Sequence, residues 1–148
     1  MQHSYSKHAV LAAALIVAGA YAGSTAAHTQ YGALGKPATA TDIYQATCLD
    51  DGNGTPHHLV IQVIDLPPVK PPQVSVQASK GGVSVTTTDK KDGDSVYSPA
   101  ATLNGGAGAY TLKVYKSAAG SEVYTFVFHC VTSANVHTGT DISVIQNQ

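Results

Sequence analysis

Residues Glu122–Val131 alternate with period two. Tyr124, Phe126, Phe128 and Cys130 fall on one side of an extended segment, and Val123, Thr125, Val127 and His129 on the other. Successive side chains of a strand point to opposite faces, so this pattern commits the segment to a sheet. One of its faces must be buried, because a one-residue slip would turn three aromatic rings to water. The aromatic face carries both phenylalanines of the chain and one of its two cysteines. It is therefore the predicted core side.

The same period recurs along the chain, and no long stretch shows a helical repeat. Residues 42–50 place Tyr44, Ala46 and Cys48 on one face. Residues 58–65 place Leu59, Ile61 and Val63 on one face and Val60 and Ile64 on the other. Residues 73–79 and 82–88 read as a hairpin around Lys80-Gly81-Gly82, with Val74, Val76, Val83 and Val85 as its apolar side. Residues 109–116 and 140–145 complete the set. Asp-Gly and Asn-Gly pairs in residues 50–54 mark a turn. Pro67, Pro68, Pro71 and Pro72 mark an extended connector, because proline donates no ladder hydrogen bond. About seven short strands separated by turns predict an all-β domain: a single antiparallel two-sheet β-sandwich, jelly-roll or immunoglobulin-like.

Residues 1–27 have the layout of a secretory signal peptide. Lys7 lies in a polar start, an apolar run covers residues 9–20, and small residues follow up to Ala27. The apolar run is shorter than the roughly 20 residues a bilayer-spanning helix needs. The sequence thus predicts a secreted or periplasmic chain with no membrane span after removal of the leader. The domain is expected at residues 28–148, with an extended arm at about 28–41. In an oxidising compartment Cys48 and Cys130 are expected to pair. Closing that loop contributes about 4–5 kcal/mol in the chain-entropy account. The chain has no arginine, only 11% charged residues and a net charge of -1. Phosphate neutralisation needs clustered cations, so nucleic acid is not an expected partner.

Thr41-Asp42-Ile43-Tyr44 resembles the Asp-x-Tyr opening of bacterial pre-peptidase C-terminal domains. Residues 108–114 and 120–126, with Gly108, Tyr110, Gly120 and Tyr124, are similar to the last hairpin of that family. The resemblance covers residues 34–131. It implies an exported jelly-roll module that accompanies secreted enzymes and in some members binds calcium.

Two sets of residues carry candidate metal chemistry. Cleavage after Ala27 would make His28 the first residue, so that its α-amine and imidazole form one chelating unit. A second imidazole in the plane, from His129 or His137, would complete a tetragonal nitrogen site suited to Cu(II). Cleavage after Ala26 would abolish the chelate. The second set is Asp89, Asp92 and Asp94, whose carboxylates flank Gly93 and offer oxygen ligands for Ca2+. The competing reading for the first set is a frayed terminus with ordinary surface histidines, and for the second a solvated Asp-Gly turn. His57-His58 reads as the flank of a hairpin, with a place in a metal site as the alternative. No nucleophile elbow, HExxH, P-loop or dinucleotide fingerprint occurs. The sequence therefore favours a non-catalytic binding module for a protein or surface partner, metal-stabilised. The alternatives are an exported copper-binding protein, extending to a small copper oxidoreductase, and a structural subunit that assembles by adding residues 29–40 to a sheet edge.

Overall fold

The computed structural model describes residues 28–69 and 71–148; the expected leader lies outside the described residues. Those residues form nine strands: β1 (His28–Leu34), β2 (Thr41–Leu49), β3 (His58–Leu66), β4 (Val74–Lys80), β5 (Val83–Thr88), β6 (Ala101–Asn104), β7 (Gly108–Lys116), β8 (Glu122–Val131) and β9 (His137–Gln146). They build one antiparallel sheet in the order β5-β4-β7-β2-β9-β8-β3-β6, with β1 added alongside β8. The two ends of that path, β5 and β6, lie against each other. The sheet thus curls almost into a barrel.

The curl turns on β9. Its first residues pair with β8 (Thr138 opposite Cys130, His137 opposite Val131). From Gly139 onward it pairs with β2 instead. A side chain at Gly139 would meet the Leu49 carbonyl and side chain at 2.7 Å, so the crossing needs glycine. The Cys48–Cys130 disulfide joins β2 to β8 beside this crossing. Cys130 N–H donates to Thr140 Oγ1 at 2.9 Å, tying β9 to the same place.

The core contains the face expected of β8: Tyr124, Phe126, Phe128 and Cys130 are all buried. Leu59, Ile61 and Val63 of β3 lie beside them in the sheet, and the same core takes in Tyr44, Ala46 and Cys48 of β2 and Tyr110, Leu112 and Val114 of β7. The Tyr44 and Tyr124 hydroxyls meet at 2.7 Å, and Tyr124 donates to Asp42 Oδ2. Burial pushes both phenols up; Asp42 and Tyr44 add to the rise at Tyr124, whereas at Tyr44 the hydrogen bond with Tyr124 opposes it. This buried polar knot is complete, because Asp42 Oδ1 accepts from Gln148 N at 2.7 Å.

Three expectations change. Val83 stands 58% exposed at the tip of the β4–β5 hairpin, paired with Lys80 rather than packed inward. Residues 101–104 form a strand, β6, because the edge of β3 needs a partner there. The outward residues of β8 are also largely covered: Val127 is buried, flanked by Thr29 of β1 and Gln62 of β3. The N-terminal arm does add to an edge, as β1 on β8 of its own chain. Gly32 makes that contact close. A Cβ there would sit 2.2 Å from the hydroxyl of Tyr124, its cross-strand partner. The ring of Tyr124 thus fills the space a side chain would take.

Candidate metal centres

One edge of β8 is shared end to end by two strands. β1 occupies it from Leu34 opposite Glu122 up to His28 opposite Phe128. β9 takes over at Thr138 opposite Cys130. His129 falls at the junction. On the other edge β3 sets His58 opposite Val131 and Val60 opposite His129. Directly opposed residues share a face of the sheet, so His58, His129 and His137 emerge on the same side. His129 and His137 stack with ring centroids 4.7 Å apart and planes 13° from parallel. His28 lies 5.6 Å from the Phe128 ring and is exposed.

His57 completes the group from just outside β3. Its N–H donates to Val131 O at 2.8 Å, and its carbonyl accepts from Gly106 N at 3.0 Å. Its Nδ1 is 3.0 Å from Nδ1 of His58. All five described histidines, from four separate stretches of chain, therefore gather at one end of β8.

Their electrostatics agree with that placement. His129 is pushed down to about 4, first by burial and then by the fields of His137, His28 and His58. His58 is lowered by burial and by His57. His129 Nδ1 is buried without a hydrogen-bond partner. A buried polar atom left unpaired costs about 1–3 kcal/mol. At neutral pH this imidazole is uncharged, which is the form that binds metals. Among the described residues no three histidines have ligand atoms all within 4.8 Å of one another. A metal held by His28, His129 and His137 therefore requires their rings to turn.

The carboxylates gather elsewhere, and not as the sequence predicts. Asp89 is buried and spends both oxygens on backbone, accepting from Asp65 N at 2.8 Å and Lys91 N at 3.0 Å. Asp94 closes a turn, accepting from Val96 N at 2.7 Å. Asp92 alone joins a cluster. Its ligand atom lies with those of Asp65, near the end of β3, and Glu122, at the start of β8, all within 4.8 Å of one another. Asp65 Oδ2 accepts from Val74 N at 3.1 Å, while Oδ1 is buried without a partner. Burial, with Asp92, Glu122 and Asp89 nearby, pushes Asp65 up to about 7. The cluster can hold a proton or a hard cation.

Sequence reasoning missed Asp65 and Glu122, and it favoured a hairpin flank over a metal site for His57 and His58. The signals were present: a lone carboxylate ending the apolar run 59–64, and two adjacent histidines at a strand entrance. Residues 50–54 are a turn, with Asp50 Oδ1 accepting from Gly52 N and Gly54 N. No protein-family model, no curated protein and no solved structure matches the chain.

Proposed function

We propose that the protein is an exported, non-catalytic copper-binding module whose site is formed by His28, His129 and His137. The observation that carries this reading is His129: a half-buried, neutral imidazole whose Nδ1 is buried and unpartnered, stacked on His137 and within the field of His28. Removal of the leader after Ala27 gives His28 a free α-amine at the first residue of β1. Amine and ring then chelate as one unit, and His129 or His137 supplies a further nitrogen in the tetragonal plane that Cu(II) favours. The register of β1 on β8 sets His28 opposite Phe128, one position along β8 from His129 and on the other face of the sheet, so chelation with His129 or His137 requires the first residue of β1 to turn round the strand's end. The architecture that supports it we read as a two-layer sandwich of jelly-roll type, β1-β8-β3-β6 against β5-β4-β7-β2-β9, coupled through β9. That reading agrees with the resemblance to pre-peptidase C-terminal modules.

Cu(II) titration followed by paramagnetic resonance tests the proposal on two forms, one starting at His28 and one retaining Ala27. The form starting at His28 is expected to take up one tightly bound equivalent at this site, with nitrogen hyperfine structure, and retention of Ala27 to weaken that equivalent at least tenfold. Equal binding by both forms, or by His129→Ala, refutes the site. Calcium is the second reading, moved from Asp89 and Asp94 to Asp65, Asp92 and Glu122, and favoured by the unpartnered Asp65 Oδ1. A Ca2+-dependent rise in Tm that Asp65→Asn abolishes supports it; no rise refutes it.

A further inference from the structure

We propose that His57 and His58 form a second, separate Cu(II) site, chelating through their two Nδ1 atoms. The distance between those atoms is 3.0 Å. Two nitrogens each about 2.0 Å from one metal, at right angles, stand about 2.8 Å apart. The pair already has the bite of two adjacent corners of a square plane. In the metal-free protein one Nδ1–H donates to the other Nδ1; on binding, that ring carries its proton on Nε2 instead, and both Nδ1 lone pairs turn toward the metal beside the line between them.

The backbone under both rings is fixed. His57 is held at its N–H by Val131 O and at its carbonyl by Gly106 N. His58 is paired on both sides, with Val131 of β8 and Asn104 of β6. Adjacent residues of a regular strand would aim apart. His57 precedes the strand, and this lets its ring meet that of His58 edge-on, with planes 89° apart and centroids 5.3 Å apart. His57 is exposed and His58 half-buried, so the remaining corners of the plane open to water and the metal has a route in. This pair uses neither β1 nor an α-amine, so it does not depend on where the leader is cut.

The test counts copper. Mature protein is titrated with Cu(II) by calorimetry and paramagnetic resonance, alongside His57→Ala, His58→Ala and His129→Ala. Two equivalents are expected for the parent protein. His57→Ala and His58→Ala should each lose one of them, with at least tenfold weaker binding, and keep the other. The proton signals of His57 and His58 should be the ones broadened by that equivalent. Folding is checked by the unchanged far-ultraviolet spectrum of His57→Ala, an exposed position. Two equivalents retained in His57→Ala overturn the proposal. So does a single equivalent that only His129→Ala removes, and that outcome leaves the His28 site standing. A single equivalent lost in His57→Ala but kept in His129→Ala supports this pair and refutes the other site.

Discussion

Gly32→Ala puts one methyl group between β1 and β8 and tests whether that contact places His28. The added Cβ would lie 2.2 Å from the Tyr124 hydroxyl and 2.3 Å from the ring carbon that bears it. Ordinary contact begins near 3.4 Å, so something must yield by more than 1 Å. Tyr124 is poorly placed to yield. Its hydroxyl is held by Asp42 and by Tyr44 at 2.7 Å, and its ring stacks 6.2 Å from that of Phe126. The strand that moves is β1, which no other strand flanks. Overpacking of this kind costs about 1–3 kcal/mol. Because β1 carries His28 at its first residue, lifting it should also weaken Cu(II) binding at the His28 site by at least tenfold. Urea denaturation gives the first quantity and copper titration the second. Tyr31→Ala on the exposed face of the same strand is the control, with an expected change within about 0.5 kcal/mol. A Gly32→Ala protein as stable as its parent and with unchanged copper affinity refutes the reasoning.

Three further outcomes follow from the same structure. Replacing both Cys48 and Cys130 by alanine opens a loop of sequence separation 82; it should cost about 4.5 kcal/mol and lower Tm on the order of 15 °C by calorimetry, and a loss below about 1 kcal/mol contradicts the loop account. Asp65 is raised from 3.8 to about 7, so the folded state holds the proton more tightly than the unfolded one. Its contribution is present in full below pH 4 and is lost as pH climbs through 7, amounting to about 4 kcal/mol. In EDTA, the stability of the parent minus that of Asp65→Asn should fall across this window, and parallel curves refute it. His129 runs the other way, since its folded value of about 4 lies below the ordinary 6.5: its contribution is present above 6.5 and disappears as pH drops to 4. Metal-free His129→Gln should therefore lose less stability than the parent between those values, as read by urea midpoints, and equal losses would contradict the burial argument.

The core was legible because its signal is local. The parity of residues 122–131 assigns Tyr124, Phe126, Phe128 and Cys130 to one face without knowledge of any partner strand, and the pairing of two cysteines needs only their number and an oxidising environment. The junction of β1 and β9 along β8 was not legible. It depends on which edge each strand takes, and alternation fixes the face of a strand but not its neighbour. His28 and His137 are 109 positions apart in sequence and come to neighbouring positions along β8, either side of His129, only through that choice. The acidic cluster failed for a related reason. Asp89, Asp92 and Asp94 are close in sequence, yet the turn at Gly93 aims them apart, and the carboxylates that join Asp92 come from the ends of β3 and β8. Val83 shows the limit of alternation itself: it lies on the apolar side of its hairpin but beyond the reach of the facing layer.

Anomalous diffraction at the copper edge, from crystals of protein beginning at His28 and grown with Cu(II), tests the central claim most directly. The account predicts a peak about 2 Å from the His28 amine and ring nitrogen, with an imidazole nitrogen of His129 or His137 at a similar distance. Density confined to other positions, with the His129 ring still stacked on His137 and Nδ1 unpartnered, would contradict it.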